Sequence, residues 1–575
     1  MDLLSLPNEI LLNHVFSRSF LTITDLNNLM RSCHGLNSLI RHSNDLWRKK
    51  FINRWGKNCY KQEEKNEVIW MKMVALRLNL AQEVKETVGM MSSVCYPLGE
   101  TALPMGPVNK WIISAHPIPN FVEAELCQLL SKSGMNDNLA LNYYAKALSE
   151  SFWMKKLDQQ WKDYLSQPEC QNSLLGGAVL FSQCIQGNYL CSSNVEPLMK
   201  ITTERVKQLV AEMGNSALAL KTYPASSMRN AKKILLTINK VMFEEMGFSC
   251  SKENEDWFFI NYQIEKVLEN RTGSAILISI VYQEVARMMG LRCEPIDCGG
   301  QILLRFRECC ERNVDSNYYL IDVREGGSLI PSTPAIMGQP VVSAECIFQR
   351  ILKAPITTYQ EFFDDFDFLE KNSLKFFRLA SVISPRVTRF VLDYGKLSAS
   401  FGIHLDDAIQ LLQSAGLHGD PVMADCITKQ REQYAEISLA KIVCPRLPSI
   451  KYAVGLVCMY SYIACGFKKS QPCVIVSWDA KFQKSEEWLT WPSTKNLDQP
   501  YYRILGPKIE YGKLYVAQET LELHPVGVAI QHEELCIHFE RFDGRRYLPN
   551  TEKKAQYPED EDVAISLIKS LDDQN

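Results

Sequence analysis

Apolar residues recur at helical spacing through most of this chain and switch to strand-like alternation in two places, residues 294–323 and the stretch after Pro448. Side chains repeat every 3.6 residues on a helix and every two on a strand, so the two periods require α+β units joined by helical segments. Length sharpens the point: 575 residues are too many for one hydrophobic core, and a prior of about 150 residues per domain suggests three or four folded units. With 46% hydrophobic and 22% charged residues, enough apolar surface exists to offset chain entropy. A formal charge of -3 gives no general attraction for phosphate backbones or anionic lipid, so such a partner would need a local basic patch.

From Leu3 to Phe51 the spacing predicts three short helices. Pro7 stands where a first helical turn tolerates a missing N–H, and Ile10, Leu11 and Val15 follow on one face. Thr24 or Asp25 can cap a second helix carrying Leu26, Leu29, Met30 and Cys33 at i, i+3, i+4 and i+7. Ser43, Asn44 or Asp45 can cap a third with Trp47, Phe51 and Trp55. A bundle this small is marginal unless it docks on something, which suits an interaction module.

The Leu6-Pro7 pair, the Ile10-Leu11 pair, the stripe ending at Cys33, and Trp47 ahead of a basic and aromatic stretch resemble the F-box family. The resemblance implies that the first helix and the turn before it bury apolar residues against a Skp adaptor, which bridges to a cullin scaffold. Leu3, Leu6, Pro7, Ile10, Leu11 and Val15 take that role by position. The competing reading is a plain helical cap on the next domain; a marginal bundle at the start of a multidomain chain favours the F-box.

Prolines and glycines between Pro97 and Pro119 mark a loop-like stretch, after which helical spacing returns. Residues 261–268 read as a helix ending near Arg271-Thr272-Gly273, and Ala275 to Met289 as a mostly apolar helix closed by Gly290. Residues 294–296, 302–306 and 318–323 then read as strands. This grammar resembles the SirB-type branch of the transglutaminase-like fold. The enzyme version needs a Cys at the helix N-terminus, where the dipole lowers the thiol pKa, and a His and an Asp on the adjoining strands. Here those positions fall on Ala275, Gln301 and Asp322, so the resemblance implies a scaffold without a nucleophile or base, in which Asp322 satisfies a turn. Cys293, Cys298, Cys309 and Cys310 offer one loose pair and an adjacent doublet with no His nearby, a poor spacing for zinc, so no metal or other cofactor is expected. The 19 cysteines read as reduced thiols in a soluble protein of the cytosol or nucleus. Helices without a firm repeat follow from Tyr359 to about Leu439.

Beyond Pro448, alternating strands predict a small antiparallel barrel. Gly455, Trp478-Asp479, Trp488, Pro500-Tyr501-Tyr502, Leu505 and the run Tyr515 to Glu519 resemble the YccV-like family, whose name carries hemimethylated-DNA binding. Phosphate binding needs clustered Lys and Arg, whereas this segment has only Lys468-Lys469 and Arg541 with Arg545-Arg546. A protein or peptide ligand is therefore favoured over DNA, with Trp478, Trp488 and Tyr515 as substrate-binding candidates, and Trp491 as a further ambiguous tryptophan.

The expected fold is multidomain α+β: a three-helix F-box at 1–56, a helical linker and loop at 57–120, a transglutaminase-like α+β core at 121–355, a helical linker domain at 356–445, a β-barrel at 446–558 and an acidic tail at 559–575. The implied function is substrate recognition in a Skp-cullin-F-box ubiquitin ligase, with a protein substrate whose identity the sequence leaves open. The rival readings are a DNA reader acting through the C-terminal domain and a residual cysteine-dependent transglutaminase or protease.

Overall fold

The computed structural model describes residues 6–56, 68–131, 138–168, 173–186, 192–212, 228–251, 259–306, 319–331, 336, 338–361, 366–464, 467–483, 497–507 and 514–573. They group into two compact units, one formed by Met1–Phe152 together with Gln430–Asn575 and the other by Trp153–Lys429.

The first unit opens with helical turns at Asn8–Ile10 and Leu11–Phe16, then helices Ile23–Ser32, His34–His42 and Asn44–Trp55. The expected three helices are thus four. Thr22, not Thr24 or Asp25, caps the second: its hydroxyl accepts from the Asp25 N–H while the Asp25 carboxylate accepts from the Thr22 N–H, a reciprocal capping box. Cys33 breaks the predicted stripe because its backbone is extended, and its sulfur caps the next helix by accepting from the Leu36 N–H. The bundle closes on Leu26, Ile40, Trp47 and Phe51, with the Trp47 indole donating 2.8 Å to the Ile40 carbonyl.

This bundle does not stand alone. The Phe51 ring lies 5.2 Å from Trp70 and 6.0 Å from Phe121, on the following helices Trp70–Val94 and Ile118–Ser131. Buried Arg77 covers the Phe121 face at 4.5 Å and pairs with Glu125 at 3.1 Å. The apolar surface a small bundle cannot cover by itself is therefore covered in cis.

In the same unit the C-terminal strands form an open five-stranded antiparallel sheet, in the order Leu514–Ala517, Tyr501–Leu505, Phe467–Asp479, Val457–Ala464, Leu521–Leu523, with a separate pair Phe539–Phe542 and Tyr547–Pro549. The expected closed barrel is absent among the described residues. The two edge strands span only four and three residues, and the turn Gln518–Thr520 carries the chain from one edge to the other. Both edges are tied by side chains to the preceding segment instead: Gln518 accepts from the Lys451 N–H and the Tyr452 hydroxyl donates to the Leu521 carbonyl, each at 2.8 Å. Gly455 is required where it stands, since its φ is +86° and a Cβ would lie 2.2 Å from the Tyr547 carbonyl oxygen. Within the stretch 559–575 read as an acidic tail, Asp560–Asp572 is a helix, and its Ala564 is fully buried in the core around the sheet.

The second unit packs helix Ala275–Met288 against a four-stranded antiparallel meander, Cys293–Cys298, Gln301–Phe306, Tyr319–Asp322 and Ser328–Pro331. A further apolar cluster joins helices Phe366–Ile383, Thr388–Phe401 and Leu405–Ser414.

Candidate functional sites

The N-terminal face divides the predicted adaptor residues into two groups. Leu11 is 2% exposed and belongs to the bundle's own core. Ile10 is 42% exposed, Pro7 is exposed, and Leu6 and Val15 are half-buried. Leu3 lies outside the described residues. Phe20, which sequence reasoning passed over, is 74% exposed in the loop before Thr22. Lys50 holds that loop: buried at the end of its stem, it donates 2.6 Å to the Arg18 carbonyl and to that of Leu21. Burial lowers the Lys50 pKa, and the carboxylate of Asp25 acts in the opposite direction.

In the second unit, Ala275 opens its helix directly after Ser274, whose hydroxyl accepts from the Leu277 N–H. Strand alternation decides what faces that helix. Leu304, Phe306, Ile321 and Val323 share its core, while Leu303 and Leu320 form a separate cluster with Ile296. Gln301 has the parity of Leu303 and Asp322 that of Leu320, so both stand on the sheet face turned away from Ala275. The register sets them apart as well. Leu304 opposes Ile321, so Leu303 comes next opposite Asp322, and Gln301 lies two residues further out, exposed beside the Gly299-Gly300 turn. The Asp322 carboxylate accepts from the Arg324 N–H at 2.9 Å and its carbonyl from the Gly327 N–H at 2.8 Å, closing the turn into the last strand. The three positions thus do not converge.

Two of the cysteines near this helix have raised thiol pKa values. Burial pushes the Cys293 thiol up to about 12, with Glu294 adding to it, and also raises Cys298. Cys309 and Cys310 lie outside the described residues, among which no group of three or more His, Cys, Asp or Glu could hold a metal.

The C-terminal aromatic candidates separate too. Trp478 is 5% exposed, and its indole donates 2.9 Å to Asp560 while the ring packs edge-on against Tyr557 at 5.1 Å. Tyr515 is half-buried, donates 2.8 Å to Asp479 and packs on Tyr501 at 5.2 Å. Trp488 and Trp491 lie outside the described residues. Asp560 is the hub: it also accepts from the Val454 N–H at 2.7 Å and from Arg446. Lys553, 3% exposed, lies 5.3 Å from the Tyr96 ring and 5.2 Å from Tyr557. Burial, helped by Arg503, brings its pKa down to about 7, against the pull of Cys444 and Asp560. Asp560 and Lys553 had no signature in the sequence, because each sits in a hydrophilic run that reads as solvated surface.

Family models match in three separate stretches: F-box-like at residues 3–53, the transglutaminase-like superfamily at 201–336, and hemimethylated DNA-binding protein YccV like at 450–546. F-box only protein 21 of Pongo abelii is 24% identical over 99% of this chain and 94% of its own length. The chain is similar to F-box only protein 21 along nearly its whole length. The Homo sapiens and Mus musculus proteins of that name give the same 24% identity with the same coverage. No solved structure gives a significant match. Near-complete coverage in both directions means that F-box only protein 21 and this chain share one order of parts, although three residues in four differ between them.

Proposed function

We propose that the chain is the substrate-recognition subunit of a Skp-cullin-F-box ubiquitin ligase. The observation that carries this reading is that Pro7, Ile10 and Phe20 stay exposed on a bundle whose Phe51 is already covered by Trp70 and Phe121. A bundle stabilised in cis has no need of an apolar surface for its own folding, and apolar residues left on such a module suit a partner. The F-box-like match over residues 3–53 and the F-box only protein 21 relatives support the same role.

The remainder acts as a scaffold and docking surface, and the transglutaminase-like unit is non-catalytic. Two facts support this: the helix start carries Ala275, and the strand positions expected to complete a triad lie on the far face of the sheet. Thiol attack needs nucleophile, base and orienting group within hydrogen-bond reach. Against a DNA-reading role for the C-terminal unit, Arg545 is paired with Asp572, and Arg546 is buried beside Asp543 and Glu561. Charges already engaged in this way have little to offer a phosphate backbone.

The test is a pull-down of purified Skp adaptor by the full chain and by the Leu6→Ala/Pro7→Ala double variant. Capture by the wild type and loss in the variant supports the reading; equal capture by both removes it.

A further inference from the structure

The strands Val457–Ala464 and Phe467–Asp479 run past the sheet that holds them. The edge strand Leu521–Leu523 pairs only as far as Tyr460, and Tyr501–Leu505 only as far as Val474. Beyond those points Ser461, Tyr462 and Ile463 pair solely with Ser470, Lys469 and Lys468, which makes a two-stranded arm projecting from the sheet.

The arm is chemically graded from its end backwards. Phe467 is 73% exposed and Ile463 is 60% exposed, the most apolar side chains placed furthest out. Lys468 lies directly opposite Ile463, and Lys469 opposite Tyr462, whose ring stacks on Tyr460 at 5.4 Å. Alternation puts Phe467, Lys469, Tyr462 and Tyr460 on one face and Ile463 with Lys468 on the other, so each face has an apolar outer position with a lysine beside or behind it. No acidic residue occurs between Lys451 and Trp478. On the neighbouring strand Glu522 stands opposite Met459, about 17 Å behind the end of the strand at 3.4 Å per residue. Neither lysine has an ion-pair partner among the described residues.

We propose that this arm is a membrane-contact element, with Phe467 and Ile463 entering the interface of an anionic bilayer while Lys468 and Lys469 meet its headgroups. Lys469 lies two positions after Phe467, about 7 Å along a strand, which matches the roughly 5–10 Å depth to which interfacial side chains are buried. Tyr462, level with Lys469, falls where aromatic rings with a polar tip settle between lipid and water. An acidic peptide adding along a free strand edge fits less well. Lysines on an exposed edge discourage strand addition, and here the apolar residues gather at the end of the arm instead of lining one side. No helix among the described residues is long and apolar enough to cross a membrane, so the contact is peripheral.

The experiment is co-sedimentation of the full chain with phosphatidylcholine vesicles and with vesicles in which about a third of the lipid is phosphatidylserine, at low and physiological salt. Binding to the anionic vesicles that weakens with salt is expected. Lys468→Gln/Lys469→Gln should weaken it by about thirtyfold, the combined worth of two lysines at an anionic surface, and Ile463→Ser/Phe467→Ser should abolish it, with adaptor capture and thermal unfolding unchanged in both. The proposal is overturned if the wild type stays in the supernatant, if either variant binds like the wild type, or if the lysine variant loses binding only to poly-glutamate or to single-stranded DNA offered in parallel.

Discussion

Ile10 and Leu11 are neighbours in sequence with opposite duties. Exposed Ile10 is available to the proposed adaptor whereas Leu11 is buried in the bundle core, so substitutions at the two sites should separate binding from folding. Ile10→Lys is expected to leave thermal unfolding in place and reduce adaptor affinity by about thirtyfold or more, the loss of one interface anchor. Leu11→Ala should instead cost about 2–5 kcal/mol of stability through a core cavity, read by denaturant unfolding. Lys553 gives a prediction in pH. Its folded pKa of about 7 lies below that of a free lysine, so the unfolded chain holds a proton that the folded chain has released. The first unit's stability should therefore rise as pH increases above 7, with the lysine's destabilisation fully present at lower pH. Lys553→Met should flatten that rise; an identical slope in wild type and variant would remove Lys553 as its source.

At the scale of elements, the second unit hides a charge network that no motif announced. Arg378 donates to Asp158 at 2.6 Å and to Asp407 at 2.7 Å, and Asp407 also accepts from Tyr394 at 3.0 Å and from Lys155. Arg378 and Lys155 hold the Asp407 carboxyl well below its ordinary pKa, although burial works the other way. Arg378→Met would take the guanidinium from half-buried Asp158 and leave buried Asp407 with Lys155 and Tyr394 alone, and a loss of about 3–5 kcal/mol is expected by chemical denaturation. The elements themselves were largely readable. Helix Ala275–Met288 and the three strands that follow it fall within a residue or two of the expected bounds because each carries a run of buried, mostly apolar residues, while the fourth strand, Ser328–Pro331, is half-buried to exposed and was not expected. The break at Cys33 was hidden, since in the sequence the apolar spacing of Leu26, Leu29, Met30 and Cys33 runs on although the backbone at Cys33 is extended. The open sheet was hidden for a different reason: alternation reports which face is buried, not whether the edge strands meet. Strand parity likewise shows only in the structure, where a shift of one residue decides which face Gln301 occupies.

Across the whole molecule, three recognisable stretches are distributed over two compact units, and the first unit contains both the F-box-like and the YccV-like residues. Long-range pairs such as Tyr96 with Gln556 and Ser92 with Asn550 hold that unit together, and no local pattern could have revealed them. The non-catalytic reading of the second unit predicts that Ala275→Cys creates no thiol-dependent amine incorporation or proteolysis, because a cysteine there faces neither Gln301 nor Asp322. Iodoacetamide-sensitive turnover in that variant would contradict it. The receptor role is tested most directly by titrating purified Skp adaptor into the full chain and into Ile10→Lys by calorimetry. Stoichiometric binding by the wild type, with loss of binding in a variant that unfolds at the wild-type temperature, is the predicted result; no binding by the wild type, or unchanged affinity in the variant, would contradict the account.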